Sequence, residues 1–248
     1  MKKIYLVLSC GKILEGRSFG ADRAVAGELV FTTGMTGCIE MLSDPNFYGQ
    51  IVIATFPLIG NYGAMEEDMQ SAKPVLNGLV VREYCTQPSN FRTESTLDDF
   101  MKKYGIVGIC DLDTRELTTL IRDTGVQGAV ICEEVNDAVL QRAKSVAVTG
   151  AAAAVSTKER KLSPAVGIAT YNVTVIDYGV KKSLIEQLTS RECTVTLVPS
   201  GTAAADILAD NPDGIVLSGG PGNPKDNPES IAVIKDLIGK KPLFGVGM

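Results

Sequence analysis

Apolar positions along this chain follow two rhythms, one on each side of residue 149. In the first stretch they come as short runs. Ile4–Leu8, Gly27–Thr32, Gln50–Thr55, Leu79–Arg82, Ile106–Cys110 and Ala129–Cys132 carry the β-branched and alternating content of strands. Lys12–Arg17 reads as the hairpin partner of the first run, turned around Cys10-Gly11. Between them lie Gly-punctuated polar loops, with a short helical piece near Cys38–Leu42 and a turn at Asp44-Pro45-Asn46. Leu97, Phe100, Met101 and Tyr104 share one face of a helix over Ser95–Gly105, which Gly105 ends. Asp113-Thr-Arg-Glu116 has the form of a capping box. The stripe Leu117, Leu120 and Ile121 follows, with Gly125 as the stop. A further helix is expected over Asp137–Ser145. Strands and helices without a repeated βαβ alternation imply a compact α+β domain over residues 1–148.

The composition changes at Thr149–Pro164, where small residues give way to charges and then proline. We read residues 149–170 as a linker. From Asn172 the pattern is regular. Strands at Asn172–Ile176, Thr194–Val198, Gly214–Leu217 and Pro242–Val246 alternate with helices at Val180–Arg191, Ala203–Ala209 and Pro228–Ile238. That alternation predicts an α/β, flavodoxin-like, doubly wound parallel sheet over 171–248, built on right-handed crossovers. Four strands are expected, with Met248 at the tip of the fourth, so the sheet is expected to be incomplete at its C-terminal side.

Within this half, Asp213–Pro224 concentrates the candidate chemistry. Ile215, Val216 and Leu217 form a buried strand, Ser218 to Gly222 leave the sheet as a nearly bare backbone, and Pro228 opens a helix. Open parallel sheets bind ligands at such strand ends, and exposed N–H groups there suit a developing oxyanion or a phosphate. A plain strand-to-helix turn would have the same spacing, and both readings stay open on the residues alone.

Composition removes several function classes. The 248 residues carry a net charge of −5, which gives no electrostatic case for nucleic acid or an anionic membrane. No apolar run approaches the roughly 20 residues of a membrane span, and the basic-then-apolar start is short and reads as a strand rather than a leader. The six cysteines form no CxxC pair, so no zinc or redox site is expected, and a reducing cytoplasm fits. The chain has no histidine, which excludes any Cys-His or Ser-His dyad drawn from these residues.

Several stretches are similar to a known family. Gly27–Pro45, Pro57–Gly63, Ser89–Arg92 and Asp111–Leu117 resemble the N-terminal domain of the small subunit of carbamoyl-phosphate synthase. Asp177-Tyr-Gly-Val-Lys-Lys182, Leu217-Ser-Gly-Gly-Pro-Gly-Asn-Pro224 and Pro242–Met248 resemble a class I glutamine amidotransferase (triad) domain cut short at its C-terminal side. The resemblance implies a glutamine-hydrolysing subunit of an amidotransferase ligase serving pyrimidine or arginine biosynthesis. It would dock on a large subunit and supply it with ammonia. ATP and magnesium would belong to that large subunit, with no cofactor or metal in this chain. The family pattern puts Asn46, Gly220, Gly222 and Met248 against L-glutamine, although family members commonly carry Ser at the Asn46 position. It puts the nucleophilic Cys at Gly247. A glycine cannot attack an amide carbonyl, so this chain is expected to be inactive as a glutaminase. A non-catalytic docking or regulatory homologue is the alternative. A flavodoxin-type nucleotide module is a weaker one, because no Walker lysine follows the glycines and no GxGxxG opens the first strand–helix turn.

Overall fold

A computed structural model describes residues 1–247, which divide into two compact units at Val148 and Thr149. The first unit holds β1 (Lys3–Leu8), β2 (Ile13–Gly20), β3 (Val25–Thr32), α1 (Cys38–Leu42), β4 (Gln50–Ala54) and the two-residue β5 (Leu58–Ile59). Then come β6 (Gly78–Val80), β7 (Glu83–Tyr84), α2 (Leu97–Tyr104), β8 (Val107–Cys110), α3 (Thr114–Thr124), β9 (Gln127–Cys132) and α4 (Asp137–Lys144).

Seven of these strands form a closed barrel in the order β1-β2-β8-β6-β4-β3-β9. Antiparallel pairing of β1 with β9, Tyr5 opposite Cys132, completes the ring. Period-two alternation explains its two surfaces. Leu6, Leu8, Ile51, Ile53, Ala129 and Ile131 point into one cluster, which Leu117 and Ile121 of α3 join. Their neighbours in sequence face outward: Val52 and Ala54 pack with α1 and α2, and Val7, Val130 and Cys132 pack against Ala143 of α4. Asp113 caps α3 as expected, its carboxylate accepting from the Glu116 N–H at 2.9 Å, but among the described residues the reciprocal half of the capping box does not form, because the Glu116 carboxylate pairs with Lys12. Closure of the barrel was not foreseen, because periodicity shows which residues alternate but not which strands meet.

The second unit holds α5 (Ala151–Val155), β10 (Lys161–Ser163), β11 (Tyr171–Asp177), α6 (Lys182–Thr189), β12 (Cys193–Pro199), α7 (Ala204–Ala209), β13 (Gly214–Leu217), α8 (Pro228–Leu237) and β14 (Leu243–Gly245). Its sheet runs β10-β12-β11-β13-β14. The pairs β11–β12, β11–β13 and β13–β14 are parallel, whereas β10 lies antiparallel on β12. The sheet therefore has five strands rather than the four expected. The extra one comes from residues read as a linker, a stretch that also supplies α5. Three residues with an exposed flank give no strand signal, and β10 exists because β12 offers an open edge. The chain leaves β11 toward β12 on one side and returns to β13 on the other, which puts the topological switch at the C-terminal end of β11.

Candidate active site

The C-terminal ends of β11, β13 and β14 enclose a cleft of about 280 Å³. Its floor is the Ser218–Gly222 loop, one wall is Tyr178, and the strand tip Gly245–Gly247 closes a second side. Ser230, Ile231 and Ile234 of α8 form the third side, and Ala152 of α5 contributes from the stretch read as a linker. No charged side chain lines the cleft among the described residues.

Each wall is anchored. The buried Asp177 carboxylate accepts three backbone N–H groups, from Gly179 at 3.0 Å, Val180 at 2.8 Å and Thr157 at 2.7 Å. It thereby fixes the turn after β11 and holds the segment after α5 to it. Val246 N–H donates to the Leu217 carbonyl at 3.0 Å, so the β14 tip is tied to the end of β13. Ser218 N–H donates to the Ile176 carbonyl at 3.2 Å.

The glycines have distinct reasons to be glycine. A Cβ at Gly220 would lie 2.3 Å from the Tyr178 carbonyl oxygen, so the loop can pass under Tyr178 only without a side chain. Gly247 has φ +90, a region that strains L side chains. Among the described residues a Cβ there would meet only the Gly219 Cα, at an ordinary 3.5 Å, so the backbone is the obstacle. Gly222, at φ +85, lies against Ala151.

Burial pushes the Tyr178 phenol above the usual tyrosine range, with the neighbouring Ser230 hydroxyl opposing. The Tyr178 hydroxyl itself is buried with no hydrogen-bond partner of good geometry among the described residues.

Of the residues singled out from sequence, Gly220, Gly222 and Gly247 come together in this cleft. Met248 lies outside the described residues. Asn46 belongs to the first unit, in the turn Pro45–Phe47, where its backbone N–H and its side-chain amide both donate to the Asp44 carboxylate, at 2.9 and 2.6 Å. Ala152 and the α8 residues were missed. They reach the cleft through packing, and their local pattern is that of ordinary helix positions. Among the described residues no group of three or more His, Cys, Asp and Glu side chains could hold a metal ion. No described helix is long and apolar enough to cross a membrane.

Comparison with known proteins decides the family. The family described as "Carbamoyl-phosphate synthase small chain, CPSase domain" matches residues 6–131, and "Glutamine amidotransferase class-I" matches residues 174–248. The chain belongs to the carbamoyl-phosphate synthase small-chain family. The carbamoyl phosphate synthase small chain of Bacillus cereus is 46% identical over 246 residues, covering 98% of this chain and 67% of the relative. That of Streptococcus agalactiae is 43% identical over 251 residues, covering 100% and 69%. That of Listeria monocytogenes is 44% identical over 249 residues, covering 99% and 68%. The chain thus spans about two thirds of the length of these relatives. An aminopeptidase from Aneurinibacillus sp. strain AM-1 aligns at 12% identity and a TM-score of 0.32, covering 87% of this chain and 56% of that one, a likeness too low to carry weight. In this small-chain family member the cleft lies largely within the class I amidotransferase match, residues 174–248, with Ala152 contributing from outside it.

Proposed function

We propose that the cleft at the ends of β11, β13 and β14 holds the side-chain amide of L-glutamine, and that this polypeptide binds glutamine without hydrolysing it. The observation that carries the reading is a bare-glycine loop facing a strand tip across a pocket with no charged side chain among the described residues that line it. A neutral amide can enter such a pocket without leaving a charge unpaired, and backbone N–H groups are the donors an oxyanion would need. A phosphate, as in the nucleotide alternative, would find no basic side chain among the described residues there.

The rest of the reading comes from the family. In the family, a small chain hydrolyses glutamine through a Cys thioester and passes ammonia to a large subunit that makes carbamoyl phosphate with ATP. In these 248 residues the position of the attacking sulfur is Gly247, and there is no histidine to activate a thiol. Asn46 in the first unit and Met248 remain proposed glutamine contacts. The first unit is the proposed docking domain for the large subunit, in the cytoplasm.

Calorimetric titration tests the reading. L-Glutamine should bind, and L-glutamate should bind about tenfold more weakly or worse, because its carboxylate would be buried without a partner. Ammonia release should not exceed a buffer blank. Equal affinity for the two amino acids, or no binding of glutamine, would remove the pocket assignment. Ammonia above the blank would remove the non-hydrolysing half.

A further inference from the structure

Ser218 stands where β13 gives way to the glycine loop, and it is 5% exposed. Its Oγ accepts from the Tyr178 N–H at 2.9 Å and donates to the Gly219 carbonyl at 2.8 Å. A hydroxyl has a single proton to donate, and here the Gly219 oxygen takes it. The Gly219–Gly220 peptide is planar and trans, so its C=O and its N–H point in opposite directions. Holding the carbonyl against Ser218 therefore turns the Gly220 N–H away from Ser218. That N–H has no acceptor among the described residues.

This peptide is held at its carbonyl by that hydroxyl. It joins two glycines, and glycine allows the backbone rotations that turn a peptide plane over. The Tyr178 carbonyl limits how close Gly220 can come. We propose that Ser218 is a positioning residue: by holding the Gly219 carbonyl it directs the Gly220 N–H into the cleft as the donor for the bound amide oxygen. This rests on the reading of the cleft as a glutamine site. A purely structural Ser218 would tie the end of β11 to the end of β13 through Tyr178 and leave the Gly220 N–H direction indifferent to the hydroxyl.

Nuclear magnetic resonance on the 15N-labelled 248-residue chain separates the two roles. In a weakly aligning medium, the N–H residual dipolar coupling of Gly220 reports the direction of that bond. It should change in Ser218→Ala, stay at its original value in Ser218→Thr, and leave the couplings along β11 and β13 unaltered in both. An unchanged Gly220 coupling in Ser218→Ala overturns the proposal. So does a change spread through β11 and β13, which would mark a structural tie. Titration with L-glutamine supplies the second arm. The Gly220 amide proton should move downfield in the original chain and in Ser218→Thr, while Ser218→Ala should bind about tenfold more weakly. If no resonance of the original chain responds to glutamine, the glutamine reading fails, and the Gly220 coupling still judges the hydroxyl's hold on the peptide.

Discussion

Gly247 is the position at which chemistry and backbone strain meet. At φ +90 it costs a glycine nothing, but any other residue would be held in a strained conformation. Gly247→Cys should therefore lower stability by about 1–3 kcal/mol in urea unfolding. Its thiol, on a position that lines the cleft, should be alkylated by a glutamine-shaped chloromethyl ketone, thiolate displacing chloride. Mass spectrometry reads this, with the exposed Cys10 as the internal comparison. No ammonia should be released from glutamine by that variant, because the chain has no histidine. Cys38 behaves in the opposite way. Burial pushes its thiol up from 9.0 to about 12, with the Glu40 charge adding. The unfolded thiol ionises near 9 while the folded one stays protonated, so this group leaves stability unchanged below pH 9 and lowers it progressively from pH 9 to 12. Replacing Cys38 with Ala should flatten the loss of stability between pH 8 and 11 relative to the original chain, measured by urea midpoints.

Elements differ in how much of themselves is written locally. α3 was legible because Asp113 as N-cap, the stripe Leu117 and Ile121, and Gly125 all lie within one short stretch and agree. β10 was not legible, since Lys161–Ser163 acquires its conformation from its antiparallel partner Thr196 and the residues beside it. The turn after β11 lies between these cases. Asp177-Tyr178-Gly179 stood out in the sequence, yet the partner of one Asp177 oxygen, the Thr157 N–H, is twenty residues away. Asp177→Asn would place an amide donor against a backbone donor and remove the charge from three hydrogen bonds. It should cost about 2–3 kcal/mol in urea unfolding and loosen α5, visible as faster amide hydrogen exchange at residues 154–157.

The first unit is a whole structure in itself, with a barrel that closes on its own strands and an interior cluster drawn only from residues before 132. Residues 1–148 expressed alone should fold and unfold in one cooperative urea transition. Ile53→Ala, at a fully buried interior position, should lower its stability by about 2–5 kcal/mol. A non-cooperative transition in the isolated unit would refute this. The amino-acid order alone established the family resemblance, the alternating faces of the strands, the helix cap at Asp113 and the glycine loop after β13. These depend on neighbours a few residues apart, where spacing and side-chain chemistry are sufficient. Folding in three dimensions settled the closure of β9 onto β1, the recruitment of residues 151–163 into the second unit, and the meeting of Tyr178, Ser218 and Gly247 around one cleft. Those contacts join positions tens to more than a hundred residues apart. Their geometry follows from which strands become neighbours, and no local periodicity encodes that choice.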